Sequence, residues 1–213
     1  MSSKGESALK GAEQLGTRER LMDAAEVVIG DVGVEAASLR SINVAAGCNI
    51  AAIHYHFGSK EALVKATLAR RMNLLGEHRH RLFDELDDDN PALRDVAHAA
   101  ISPFVEFVYG EGQTSYLKFL IMLQKAGGAW SAAMMDAFLP QAERVDALYA
   151  AALPHVAVPT IRARRMVAAH TIWEILADVS SFFGRQPPKD VAVDAIVEIV
   201  VSILSLPNWD DGS

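Results

Sequence analysis

The 213 residues are 51% hydrophobic, include one Cys and carry a formal net charge of −7. That apolar share suffices for a sizeable core, yet no apolar run reaches the ~18 residues of a membrane span. The single Cys48 excludes an internal disulfide, and no charged-then-apolar leader opens the chain, so a soluble cytoplasmic protein without membrane association is expected.

Residues 1–16 carry Ser, Gly and Lys without apolar periodicity and read as a flexible arm. Across residues 17–32, Leu21, Ala24, Ala25, Val28 and Ile29 recur at helical spacing, and Gly33 stands where a left-handed C-terminal cap belongs. Residues 38–60, SLRSINVAAGCNIAAIHYHFGSK, read as two short helices joined by a tight turn. Leu39, Ile42 and Ala46 share one face of the first, and Gly47 ends it. Asn49 can cap the second by accepting from a free backbone N–H. Ile50, Ile53 and Phe57 make its inner face, and Ala51, Ala52, Tyr55 and His56 face outward. Cys48 reads as a small buried hydrophobe. A helix, a short turn containing Gly and a second helix is the arrangement that enters a DNA major groove.

A fourth helix is expected over residues 59–86, with Ser59 as its cap, Glu61 in its first turn and a basic stretch at Lys65, Arg70, Arg71, Arg79 and Arg81. The acidic cluster that follows, ending at Pro91, marks a change of character. Residues 1–81 hold 11 Lys and Arg against 9 Asp and Glu, whereas residues 82–213 hold 9 against 18. A mildly basic head on an acidic body would turn the head toward phosphate. The body reads as helices throughout: 91–109 with Pro103 inside, 115–126 closed by Gly127 and Gly128, 130–153 with a break before Pro140, 160–183, and 190–206. Residues 110–113 read as a loop. No segment alternates as a strand would, and no fixed repeat is evident.

The order of Thr17, Ala24 and Ala25, Gly33, Ser38, Ile42, Ala46 and Gly47, Phe57, and Ser59-Lys60-Glu61 resembles the DNA-binding domain of tetracycline-repressor-type (TetR family) regulators, over residues 15–70. Asn43 and His54 depart from it, standing where the family usually has Ala and Tyr. AAIHYHFGSKEAL and LARRMNLL are most similar to the fatty-acid-responsive branch. The resemblance implies an all-α fold: a flexible arm at 1–16, a three-helix helix-turn-helix domain at 17–64, a helical effector-binding and dimerisation domain at 65–206, and a tail at 207–213. It also implies a homodimer on a near-palindromic operator, released when an effector changes the spacing of the two heads.

The resemblance places DNA contacts at Ser38, Leu39, Arg40, Asn49, Ile50, Ala51, Ala52, His54, Tyr55, His56 and Lys60. Arg40 has the donor geometry to bond both major-groove acceptors of guanine, or to hold a phosphate. Ala51 and Ala52 can pack on a thymine methyl, or serve only as good helix formers. Lys60 with the first N–H groups of its helix forms a phosphate clamp. The pairs His54/His56 and His78/His80 lie about 200° apart around a helix, so neither can chelate one ion, and no metal or cofactor is expected. No nucleophile elbow, phosphate loop or paired-carboxylate motif is visible, so no enzyme is expected.

In the body, Tyr116, Phe119, Leu120, Leu123, Met134, Phe138 and Trp173 form an apolar surplus that is either plain core or an effector pocket, with Tyr149, His170 and Arg144 as partners for a polar end. A fatty acid or acyl thioester is the effector suggested by the resemblance. An activator, a ligand-independent regulator, an all-helical enzyme and an adaptor are the alternatives.

Overall fold

A computed structural model describes residues 3–87, 89–111 and 114–207. Every regular element among them is a helix: α1 (Ser3–Val32), α2 (Leu39–Ala45), α3 (Ala52–His56), α4 (Lys60–Asp84), α5 (Leu93–Glu111), α6 (Ser115–Ala126), α7 (Gly128–Ala152), α8 (Val158–Ala177), α9 (Val179–Phe183) and α10 (Lys189–Leu204). The chain divides into two compact units, residues 1–71 with 118–134, and residues 72–117 with 135–213.

In the first unit α1, α2 and α3 pack on one another. Leu21, Ala25, Ile29, Ile42 and Ile53 are fully or almost fully excluded from water, as their spacing requires. Gly33 closes α1 at φ 84°, and its N–H donates to Ile29 O at 2.8 Å. Gly47 takes φ 61° at the turn after α2, a conformation an L side chain resists. Trp130 Nε1 donates to Glu35 Oε1 at 2.7 Å, tying the start of α7 to the corner between α1 and α2.

In the second unit α10 packs chiefly on α5 and α8. Its buried face is Ala192, Val193, Ile196, Val197, Val200 and Leu204. Arg164 secures the end of α10, donating to Leu204 O at 2.9 Å and to Pro207 O at 3.0 Å. On the outer side, Arg94 of α5 pairs with Asp194 and Glu198 of α10.

Several boundaries differ from the sequence reading, each for a physical reason. Helix α1 begins at Ser3, so it runs through the segment read as an arm, where Ala, Leu, Lys, Glu and Gln are all good helix formers. Helix α5 continues through Gly110 to Glu111, and the rest of the expected loop, Gly112 and Gln113, lies outside the described residues, as do residues 208–213 of the tail. Helix α7 starts at Gly128 and passes Pro140 without ending, since a proline removes only one intrahelical donor. The helix expected over 160–183 is two helices. Asp178 leaves the helical region at φ −147°, and its carboxylate accepts from Ser181 N–H at 3.1 Å, capping α9. Cys48 is half-buried rather than buried: its Sγ lies 3.8 Å from Arg20 Nη2 and 3.4 Å from Ala46 O.

Candidate nucleic-acid interface

The helix-turn-helix is built by local hydrogen bonds. Ser38 opens α2 with a capping box: its Oγ accepts from Ser41 N–H, and Ser41 Oγ accepts from Ser38 N–H, both at 3.0 Å. Ser59 Oγ accepts from Ala62 N–H at 3.1 Å and so opens α4. Asn49 does not cap α3 as its position suggested: its Oδ1 accepts from Ala51 N–H at 3.1 Å within the turn, and Ala51 takes the N-cap position without a side-chain bond.

These elements bring one set of side chains to the surface. Arg40, Asn49, Ala51, His54 and Tyr55 are exposed, and Leu39, Ala52, His56 and Lys60 are half-buried. Tyr55 is 71% exposed and meets His56 edge-on, with ring centroids 4.9 Å apart. His54 Nδ1 donates to Gly58 O at 3.1 Å, since a carbonyl can only accept, and this leaves Nε2 on the outer side of the ring. Ser38 is exposed, but its hydroxyl is engaged in the cap.

Ile50 corrects the reading of the inner face. It is 63% exposed, whereas Ile53 is fully buried. Helix α3 begins only at Ala52, so Ile50 lies in the turn, where the 100° phase of a helix does not apply.

The stretch of α4 read as basic is largely spoken for. Arg70 bonds Glu19 and Asp23 at 2.7 Å and Glu26 at 2.6 Å, and Arg71 Nε bonds Glu26 at 3.0 Å. Burial alone would ease the proton off Arg70. The hydrogen bonds Arg70 donates to Glu19 and Glu26 outweigh that and hold its pKa above the ordinary range. Arg79 is buried in the second unit, 5.9 Å from the Phe104 ring centroid. Its pKa is pushed down to about 10, first by burial and also by Arg165.

The residues expected to hold an effector are divided between the units. Phe119, Leu120, Leu123 and Met134 are buried in the first. Tyr116, Tyr149 and Trp173 are buried in the second, with Phe138 and His170 half-buried there. Trp173 stacks obliquely on both Phe138 and His170, each with centroids 5.4 Å apart. His170 Nδ1 is buried with no hydrogen-bond partner among the described residues. Burial lowers the His170 pKa, with Glu174 opposing it. An open hollow beside α7 is lined by Glu143, Arg144, Ala147 and Leu148, which are not among the expected apolar residues. Arg144 itself pairs with Asp84 at 3.2 Å.

Residues 21–67 match the family model for bacterial regulatory proteins of the tetR family. The head thus carries a match to the tetR-family regulatory model over those residues. The chain is 37% identical over 87 residues to the nicotine-responsive transcriptional repressor HdnoR of Paenarthrobacter nicotinovorans, covering 41% of this chain and 43% of that one. It is 32% identical over 127 residues to the transcriptional dual regulator CecR of Shigella flexneri, covering 56% and 52%. The chain thus spans about half the length of these curated relatives. Among solved structures it is similar to the transcriptional regulator FadR from Bacillus subtilis in complex with stearoyl-CoA. The TM-score is 0.66 at 16% identity, covering 86% of this chain and 97% of that one. At that identity the likeness establishes the all-helical fold alone.

Proposed function

We propose that this TetR-family chain is a ligand-responsive transcriptional repressor. As a homodimer it binds a near-palindromic operator through α2, α3 and the start of α4. An apolar effector with one polar end releases it. The observation that carries the reading is the exposed set Arg40, Ala51, His54 and Tyr55 on a capped helix-turn-helix of this family. Ser38, Leu39, Asn49, Ala52, His56 and Lys60 border that set and would supply phosphate contacts and packing.

The dimer forms through exposed apolar side chains of the second unit. Met166 and Val167 lie on α8, Phe182 on α9 and Val191 on α10. Large exposed apolar side chains on three helices of one unit support an interaction surface there. The effector lies against Phe138 and Trp173, with the unpartnered Nδ1 of His170 facing its polar end. Long acyl chains suit such a site because each buried CH₂ contributes ~0.8 kcal/mol without needing polar contacts. The stearoyl-CoA held by FadR supports a fatty acid or acyl thioester as the class. A dual-regulator role is the second reading, supported by the likeness to CecR, a transcriptional dual regulator.

Selection from random duplexes with the full chain tests the DNA claim. Recovery of one near-palindromic sequence supports it, and recovery of unrelated sequences contradicts it. Adding palmitate or palmitoyl-CoA to the selected complex tests the effector claim. Release of the duplex together with a raised melting temperature is expected.

A further inference from the structure

Asn43 is 1% exposed within α2. Its Nδ2 donates to Leu39 O at 2.8 Å and to Ile50 O at 3.1 Å. The first bond stays inside α2. The second crosses the turn and fixes the peptide that leaves Ile50. Asn49 holds the same peptide from its other side, accepting from Ala51 N–H at 3.1 Å. The backbone after Ile50 is therefore clamped by two carboxamides while the Ile50 side chain remains 63% exposed.

The clamp carries a cost. Asn43 Oδ1 is buried with no hydrogen-bond partner among the described residues. A buried acceptor left unsatisfied destabilises a fold relative to a small apolar side chain. What the clamp provides is one fixed direction for an aliphatic side chain just ahead of α3. Residues at the N-terminal end of a recognition helix meet the base edges. The apolar group on those edges in the major groove is the C5-methyl of thymine.

We infer that Ile50 is a specificity-determining residue that packs on a thymine methyl in the operator, and that Asn43 is the positioning residue that holds it there. The inference rests on the DNA-binding reading above.

The test uses the full chain and the duplex recovered from random selection, with each thymine replaced in turn by uracil. Uracil removes the methyl and leaves every hydrogen-bonding group in place. The wild type should lose about fourfold in affinity at one position per half-site, the worth of one buried methyl. Ile50→Ala should bind the thymine duplex more weakly and show no further loss with uracil at that position. Asn43→Ala, if folded by circular dichroism, should show a reduced thymine-to-uracil ratio there. Should it fail to fold, Ile50→Ala alone decides the matter. A wild type indifferent to uracil everywhere, or an Ile50→Ala variant as sensitive as the wild type, overturns the inference while leaving operator binding intact. An undiminished ratio in folded Asn43→Ala overturns the positioning role. Failure to recover any preferred duplex overturns the DNA-binding reading itself.

Discussion

Arg70 Nη2 lies 2.6 Å from Glu26 Oε1, so a carboxylate only 1% exposed on α1 is held by a guanidinium from α4. Arg71 Nε adds a second donor to the same oxygen at 3.0 Å. The pair ties the first helix of the head to the helix that follows the helix-turn-helix.

Breaking this tie should cost stability. Arg70→Ala leaves Glu26 buried with Arg71 as its remaining partner. The expected loss is about 1–3 kcal/mol in urea unfolding, since a buried charge loses part of its compensation. Asp23→Asn is the control. Its carboxylate side chain is 58% exposed, and a pair of that kind is worth less than about 1 kcal/mol. Equal effects from the two variants would contradict the assignment.

Tyr55→Ala should weaken operator binding by about 1–3 kcal/mol. At 71% exposure Tyr55 contributes little to the core, so helix content should be unchanged. Full affinity in the folded variant would remove Tyr55 from the interface.

His170 sets a pH dependence whose sign is fixed. Burial holds its folded pKa below the ordinary 6.5. Between the folded value and 6.5 the unfolded chain binds more protons, so stability falls as pH falls through that window. Above 6.5 both states are neutral at this site and the contribution is fully present. His170→Phe lacks the titration. Urea unfolding of the two proteins from pH 7.5 to 5 should show the wild type losing more stability on acidification. A wild type that gains on the variant as pH falls would contradict the sign.

Much of the head was legible because it is held by short-range chemistry. The caps at Gly33 and Ser59 follow from residue type and position, and the bounds of α6 coincide with those read from its apolar spacing. Ile50 was misplaced as an inner-face residue because helical phase was carried one turn too far upstream. The engagement of Arg70 and Arg71 was hidden because their partners lie 44 to 51 residues away along the chain. The break at Asp178 was hidden because apolar spacing continues across it, and only its bond to Ser181 shows the new cap. The aromatic stripe was legible as apolar, but period alone does not say that Phe119 and Phe138 fall in different units.

The proposed dimer makes a prediction of its own. Val167, 57% exposed on α8, would lie in the seam of that dimer. Val167→Asp should sediment as a monomer at low micromolar concentration with its helix content kept. A variant that remains dimeric would move the seam away from this face of α8.

In the proposed dimer two heads read successive major grooves on one side of the duplex. Centres of half-sites then lie about one helical turn, or a multiple of it, apart. The most direct measurement compares the selected duplex with the same duplex carrying five extra base pairs between its half-sites, by fluorescence anisotropy with the full chain. Half a turn of DNA puts the second half-site on the opposite face. The account predicts a loss of about 100-fold or more, bringing affinity close to that for random DNA. Equal affinity for the two duplexes would contradict it.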